Sequence, residues 1–226
     1  MASEVDICND ALAVCGDAAN ISSINPPDTS AQAGHCSRFY PMARDQLLDM
    51  HPWNFATTRT ALALTTETSN QWQYVYSLPS NCIRALVVMD PMAPDDFSTP
   101  IPLYGVYPYP YPGQNNIPAV YTPQPFIVET DVNGNKILYT AQANAQLTYI
   151  AAVTDTTKFS PTFIEALVVL LASKLAGPII KGQEGRQMAA TLRQEFNSEQ
   201  FPRAAAMDSN QRHTAIAQSV AWIVNR

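Results

Sequence analysis

Apolar residues in this chain recur at spacings of three and four near both ends and at spacings of two between them, which commits it to a mixture of helices and strands. At the N-terminal end, Ile7, Ala11, Val14 and Ala18 mark one side of a helix over residues 4–16, with Gly16 as its stop. Residues 20–30 hold Asn25, Pro26, Pro27 and Asp28 and read as a loop. A second helix over 31–50 carries one apolar stripe, Ala33, Cys36, Tyr40, Ala43, Leu47 and Met50, closed by Pro52. Pro41 lies inside it. A proline there removes a hydrogen bond, so the pattern predicts either a kink near Phe39 or a fresh start at Tyr40.

From Thr57 the period changes to two. Thr58, Thr60, Leu62 and Leu64 predict one strand; Trp72, Tyr74, Tyr76 and Leu78 predict a second, ended by Pro79; residues 83–89 predict a third. Phe126, Val128 and Thr130 lead into a turn over residues 131–136, and Ile137, Leu138 and Tyr139 lead out. This is a hairpin whose Asn133-Gly134 pair can supply positive φ values. A further strand follows at 145–151. Helices return at Ser160-Pro161, an N-cap followed by proline at the first helical position. Phe163, Leu167, Leu170, Leu171 and Leu175 form the inner face of that helix, which Gly177-Pro178 is expected to end. The next helix, 182–199, carries Met188, Leu192 and Phe196, and Pro202 is expected to separate it from a last helix on Ile216, Val220 and Ile223.

The expected fold is therefore α+β. An antiparallel helical bundle is formed by both chain ends (1–56 and 159–226), with an inserted antiparallel β-rich domain (57–158) and a proline/tyrosine-rich arm at about 90–125. The apolar run 166–172 reads as the bundle centre, too short to span a membrane, and no segment is expected to reach that length. The N-terminus lacks a basic stretch followed by an apolar run, so the chain is expected to be soluble and made in the cytoplasm.

Ten of the eighteen prolines fall between residues 90 and 125, interleaved with Tyr104, Tyr107, Tyr109, Tyr111 and Tyr121. Such a segment is either an ordered arm of extended or polyproline-like geometry or a mobile surface loop. A stacking platform for nucleic acid needs positive charge, yet this stretch contains Asp90, Asp95 and Asp96 and no base. Rigid amphipathic rings suit docking to a protein partner, the alternative being an intramolecular cover over the sheet.

Charge narrows the function classes further. Only 14% of residues are charged, so part of the surface is neutral polar or is covered by a partner, and the second option favours an oligomer. The net charge is -6: residues 1–56 carry seven acids against Arg38 and Arg44, whereas residues 159–226 carry seven bases against five acids. The two regions can attract one another, within a protomer or between neighbours. No cluster of Lys and Arg supports sustained binding to a phosphate backbone.

Candidate chemistry is sparse. Cys8, Cys15, Cys36 and Cys82 lack the close pairing of a zinc site or a redox pair and read as buried small hydrophobes in a reducing compartment. His35, His51 and His213 are isolated, and neither a metal nor a cofactor is expected. Asp95-Asp96 reads as a solvated loop. Glu165, Glu184, Glu195 and Glu199 are the carboxylates a peptidoglycan or polysaccharide hydrolase could use, although helix surfaces carry Glu routinely. No catalytic residues are expected.

The stretch Tyr40-Pro41-Met42-Ala43-Arg44-Asp45-Gln46-Leu47-Leu48-Asp49-Met50-His51-Pro52-Trp53-Asn54-Phe55-Ala56, with Arg59 and Leu62 after it, resembles the signature segment of bacteriophage head-to-tail adaptors of the tail tubular protein A kind, found in short-tailed phages. Leu78-Pro79-x-x-Cys82-Ile83-Arg84 and the passage from Tyr149 to Leu171 fit the same layout.

The resemblance implies a virion tail protein without enzymatic activity. It would be a homo-oligomeric ring, commonly a dodecamer, binding the portal protein on one side and the distal tail nozzle on the other. DNA would pass through its lumen during ejection without sequence-specific binding, and no membrane would be involved. Some relatives are said to degrade cell-wall material. The resemblance places Trp53 and Phe55 at the helix exit, expected to lock it against the sheet by apolar burial. Arg44 and Asp45 fall on the charged helix element, with Arg44 expected to pair with a neighbour's acid. A neutral or acidic lumen suits translocating DNA, and the uneven charge suits head-to-tail contacts around a ring. The alternatives are a tail-associated hydrolase and a protein-binding module that uses the Pro/Tyr arm.

Overall fold

A computed structural model describes residues 2–18, 20–91 and 123–211. The fold is mixed α+β, with N- and C-terminal helices packing together and a β-sheet domain inserted between them. The described residues up to Phe55, together with those from Thr154 onward, form one compact unit, and those from Ala56 to Val153 form another.

In the helical unit, α1 (Glu4–Val14) starts on a reciprocal cap in which Ser3 Oγ accepts from Asp6 N–H and the Asp6 carboxylate accepts from Ser3 N–H. Gly16, at φ 78°, turns the chain out of it. Helix α2 (Ala31–Met50) is capped by Ser30, whose own N–H and hydroxyl are held by Asp28. Ala33, Cys36, Tyr40, Ala43 and Leu47 are all buried, joined by Arg44 and Leu48, while Met50 is exposed. Pro41 neither ends nor restarts α2, and the helix is continuous through it. The missing N–H costs only the bond to the Ser37 carbonyl, and Tyr40 and Ala43 on either side stay in the core.

Helix α3 (Pro161–Ile180) is the centre of this unit: α1, α2, α4 (Gly182–Glu195) and α5 (Phe201–Ser209) all pack on it. Two expectations are corrected here. By length and composition α3 is long and apolar enough to cross a membrane, with 56% of its apolar window buried inside the protein. It also runs through Gly177-Pro178 to Ile180, stopping at Lys181, whose φ of 62° breaks the helix. A third correction concerns Pro202. Helix α4 passes through a π-helical turn (Phe196–Gln200) directly into α5, and Phe201 N–H bonds the Phe196 carbonyl five residues back. The wide turn changes the hydrogen-bond spacing just before a residue with no N–H to give, so Pro202 sits in the first turn of α5 without breaking the run. The expected helix on Ile216, Val220 and Ile223 lies outside the described residues.

In the β unit, β1 (Thr57–Ala61), β7 (Gln146–Ala151) and β4 (Cys82–Met89) form one antiparallel sheet in the order β1-β7-β4. A second sheet runs β2-β3-β6-β5, from β2 (Ala63–Leu64), β3 (Tyr74–Ser77), β6 (Lys136–Thr140) and β5 (Phe126–Thr130). The strand expected over Thr58 to Leu64 is thus two strands in two sheets, parted at Leu62, whose N–H turns to the Ala145 carbonyl. The unit's core is Tyr76, Val88, Leu138, Leu147 and Tyr149, with Tyr76 donating its hydroxyl to the Gln142 carbonyl.

The β5–β6 hairpin forms in the register Thr130↔Lys136. Its turn differs from the expected Asn-Gly pair: only Gly134 has a positive φ, 86°. Asp131 organises the loop instead, its carboxylate accepting from the N–H groups of Asn133 and Asn135 and from the Asn135 side chain. Those bonds hold the Asp131 carboxyl below its usual range, the Asn135 side chain contributing most.

Candidate functional site

Residues 40–55 occupy the second half of α2 and its exit. The last carbonyls of any helix lack intrahelical partners. Here the Trp53 indole N–H reaches back to the Leu47 carbonyl at 2.8 Å, satisfying one of them from a fully buried ring. His51 leaves the helix in extended geometry and meets Trp53 edge-on, with ring centroids 4.9 Å apart. Trp53 and Phe55 both stand edge-on to Phe163 in the first turn of α3, at 4.9 and 5.0 Å, and Phe55 also contacts Phe159. The sequence led us to expect these two rings against the sheet; the ring partners found belong to the helical unit.

The exit is also held by a residue that the sequence reading passed over. Asp208 in α5 is 3% exposed, accepts from the Asn54 backbone N–H, and lies 3.4 Å from His51 Nε2. The Asn54 side chain donates to the Asp208 carbonyl at 2.6 Å. The signal for Asp208 was present, since Leu192, Phe196, Ala204 and Asp208 stand at multiples of four and all are buried. Reading Pro202 as a break cut that stripe in half.

Arg44 is buried and bound within its own chain. Its Nε and Nη2 lie 2.9 and 2.8 Å from Asp45 Oδ1, and its guanidinium carbon sits 6.0 Å from the centre of the Tyr40 ring. Asp45, whose side chain is 49% exposed, is the charge offered outward.

The remaining candidates are scattered. Glu165 lies 3.8 Å from Arg203, both more than half exposed. Glu184 is in the first turn of α4, Glu195 at its end and Glu199 in the π turn. His35 stacks on Phe39. Among the described residues no group of three or more His, Cys, Asp or Glu is placed to hold a metal ion. Tyr104, Tyr107, Tyr109, Tyr111 and Tyr121 lie outside the described residues, as do Asp95, Asp96 and His213.

The four thiols are free and buried. The neighbouring Cys36 thiol, together with burial, pushes the Cys8 thiol up from its ordinary value. Burial raises Cys15 to about 11, and its thiol donates to the Ala172 carbonyl. They are packing residues in the ground state.

No protein-family model matches this sequence, and no curated protein matches it. The likeness of residues 40–62 to head-to-tail adaptors therefore stands on those residues alone.

Proposed function

We propose that the chain is a structural subunit of a phage head-to-tail connector, a ring that joins portal to distal tail nozzle and gives DNA a channel. The observation that carries this reading is the helical unit closed by both chain ends around α3, with the β unit inserted between them. That is the layout the resemblance implies. In finer detail, the helical unit is an antiparallel bundle, and the proline/tyrosine-rich segment is an arm for a neighbouring protein.

Two further features support an assembly role. Residues 40–55 are fixed at several points by Trp53, Asn54 and Asp208, which gives the segment carrying the resemblance one defined shape. Among the described residues β5 is an edge strand with Ile127 and Val128 exposed, and Val132 at its turn is 99% exposed. Exposed edges of this kind pair readily with other chains. Twelve copies, head to tail, would set the acidic region of one protomer near the basic region of the next.

Electron microscopy of the purified chain mixed with the portal of the same virion tests this. A ring of added density on the portal is expected. Bare portals at every salt and protein concentration would end the connector reading. Release of soluble sugars from cell-wall material, lost in Glu165→Gln or Glu184→Gln, would replace it with the hydrolase.

A further inference from the structure

The buried face of α2 carries a cavity of mixed polar and apolar lining that the connector reading does not use. It has a volume of about 440 Å3 and is lined by Glu4, Asn25, Ser37, Tyr40, Pro41 and Arg44, with Ile24 and Thr154 completing the wall. Three of its groups can accept a hydrogen bond that nothing in the chain is shown to give. Tyr40 is 1% exposed, and its hydroxyl has no hydrogen-bond partner. Pro41 has no N–H, so the Ser37 carbonyl one turn earlier is left without its helical donor. Glu4, half-exposed, has no ion-pair partner among the described residues.

Buried polar groups in proteins are nearly always bonded, and each exception needs a reason. Arg44 does not supply one, because Asp45 already engages its guanidinium. With Arg44 neutralised by Asp45, Glu4 leaves the cavity with an excess of negative charge. A guanidinium combines a positive charge with up to five N–H donors, enough to serve several acceptors at once, where an ammonium offers a compact point charge with three.

We propose that this cavity receives the guanidinium of an arginine presented by a protein partner, bonded to the Glu4 carboxylate, the Ser37 carbonyl and the Tyr40 hydroxyl. The hydroxyl lies just beneath the surface that water can touch, so the arginine engages it through a small displacement of the lining. The site goes beyond the ring reading and holds for any arginine-bearing protein segment, whatever the assembly.

The test is a titration of the isotope-labelled full chain with acetyl-Gly-Arg-Gly-amide, followed by amide NMR. Peptides with lysine, citrulline or glutamate in place of arginine serve as controls. Saturable shifts at Ser37, Tyr40 and Arg44 are expected with the arginine peptide, and binding about tenfold weaker with citrulline, as for loss of a charge-assisted bond. Tyr40→Phe and Glu4→Gln should each weaken the arginine peptide about tenfold, with melting curves showing both variants folded. The proposal is overturned by shifts that do not saturate, by citrulline or lysine binding as well as arginine, by a preference for glutamate, or by folded variants that bind like the wild type.

Discussion

Asp208 and Asn54 hold each other twice across 154 positions of sequence: the Asp208 carboxylate accepts the Asn54 backbone N–H, and the Asn54 side chain donates to the Asp208 carbonyl. Asp208→Ala leaves that N–H without its acceptor in a largely dry site and should cost on the order of 2 kcal/mol. Asp208→Asn keeps the shape and should cost less. Urea unfolding measures both; an Ala variant as stable as the wild type would show that the clamp is ornamental.

Two helical glycines should respond in opposite directions. A Cβ on Gly185 would sit 2.9 Å from the Ala176 carbonyl oxygen and 3.4 Å from that of Gly177, both backbone atoms that cannot swing aside. Gly185→Ala should therefore destabilise by about 1–3 kcal/mol, in spite of its better helix propensity. Gly34 in α2 has no atom within 4 Å of the same position, so Gly34→Ala should gain about 0.5–1 kcal/mol. Equal shifts in melting temperature for the two variants would refute the tight α3–α4 crossing.

Lys181 stands at φ 62°, ψ 173°, a region that glycine tolerates and lysine does not. Lys181→Gly should raise stability by up to about 1 kcal/mol, the relief of strain outweighing the entropy gained by the unfolded chain. Lys181→Ala keeps the strain and should bring no such gain. Differential scanning calorimetry of the pair separates backbone relief from loss of charge.

Acid should loosen the loop before α2. The Ser30 hydroxyl, then the N–H groups of Ser22 and Ser30, hold the Asp28 carboxyl well below the usual carboxylate range. A carboxyl whose folded pKa lies below its unfolded value of about 3.9 adds stability that is complete above that value and is lost as pH falls through the folded one. Asp28→Asn should thus melt lower than the wild type at neutral pH, with the gap narrowing as pH drops below about 4. A gap that stays constant down the acid limb would mean the carboxylate charge plays no part.

Periodicity made much of this fold legible. The α2 stripe, the β5–β6 pairing and the Ser160-Pro161 start of α3 follow from local rules that tertiary packing did not override. The misreadings of helix ends share one cause, namely treating proline as punctuation. Pro41, Pro178 and Pro202 all lie within helical runs, because a lost N–H is tolerable where burial on both sides, a last turn or a π turn absorbs it. The site was half legible. Trp53 and Phe55 announce themselves as large rings beside a helix-ending proline, and the stripe through Leu192, Phe196 and Ala204 points to Asp208 once Pro202 is not read as a break, but nothing local names Asn54, 154 positions away, as its partner.

Because α3 is the helix on which α1 and α2 pack, synthesis imposes an order on this molecule. The ribosome releases Ile7, Leu12, Leu47 and Leu48 long before Phe163, Leu167 or Leu170 exist to cover them, and the seven described strands emerge in between. The nascent chain must carry two sticky, unfinished helices until α3 has been made, so chaperones and proteases have their longest opportunity at α1 and α2.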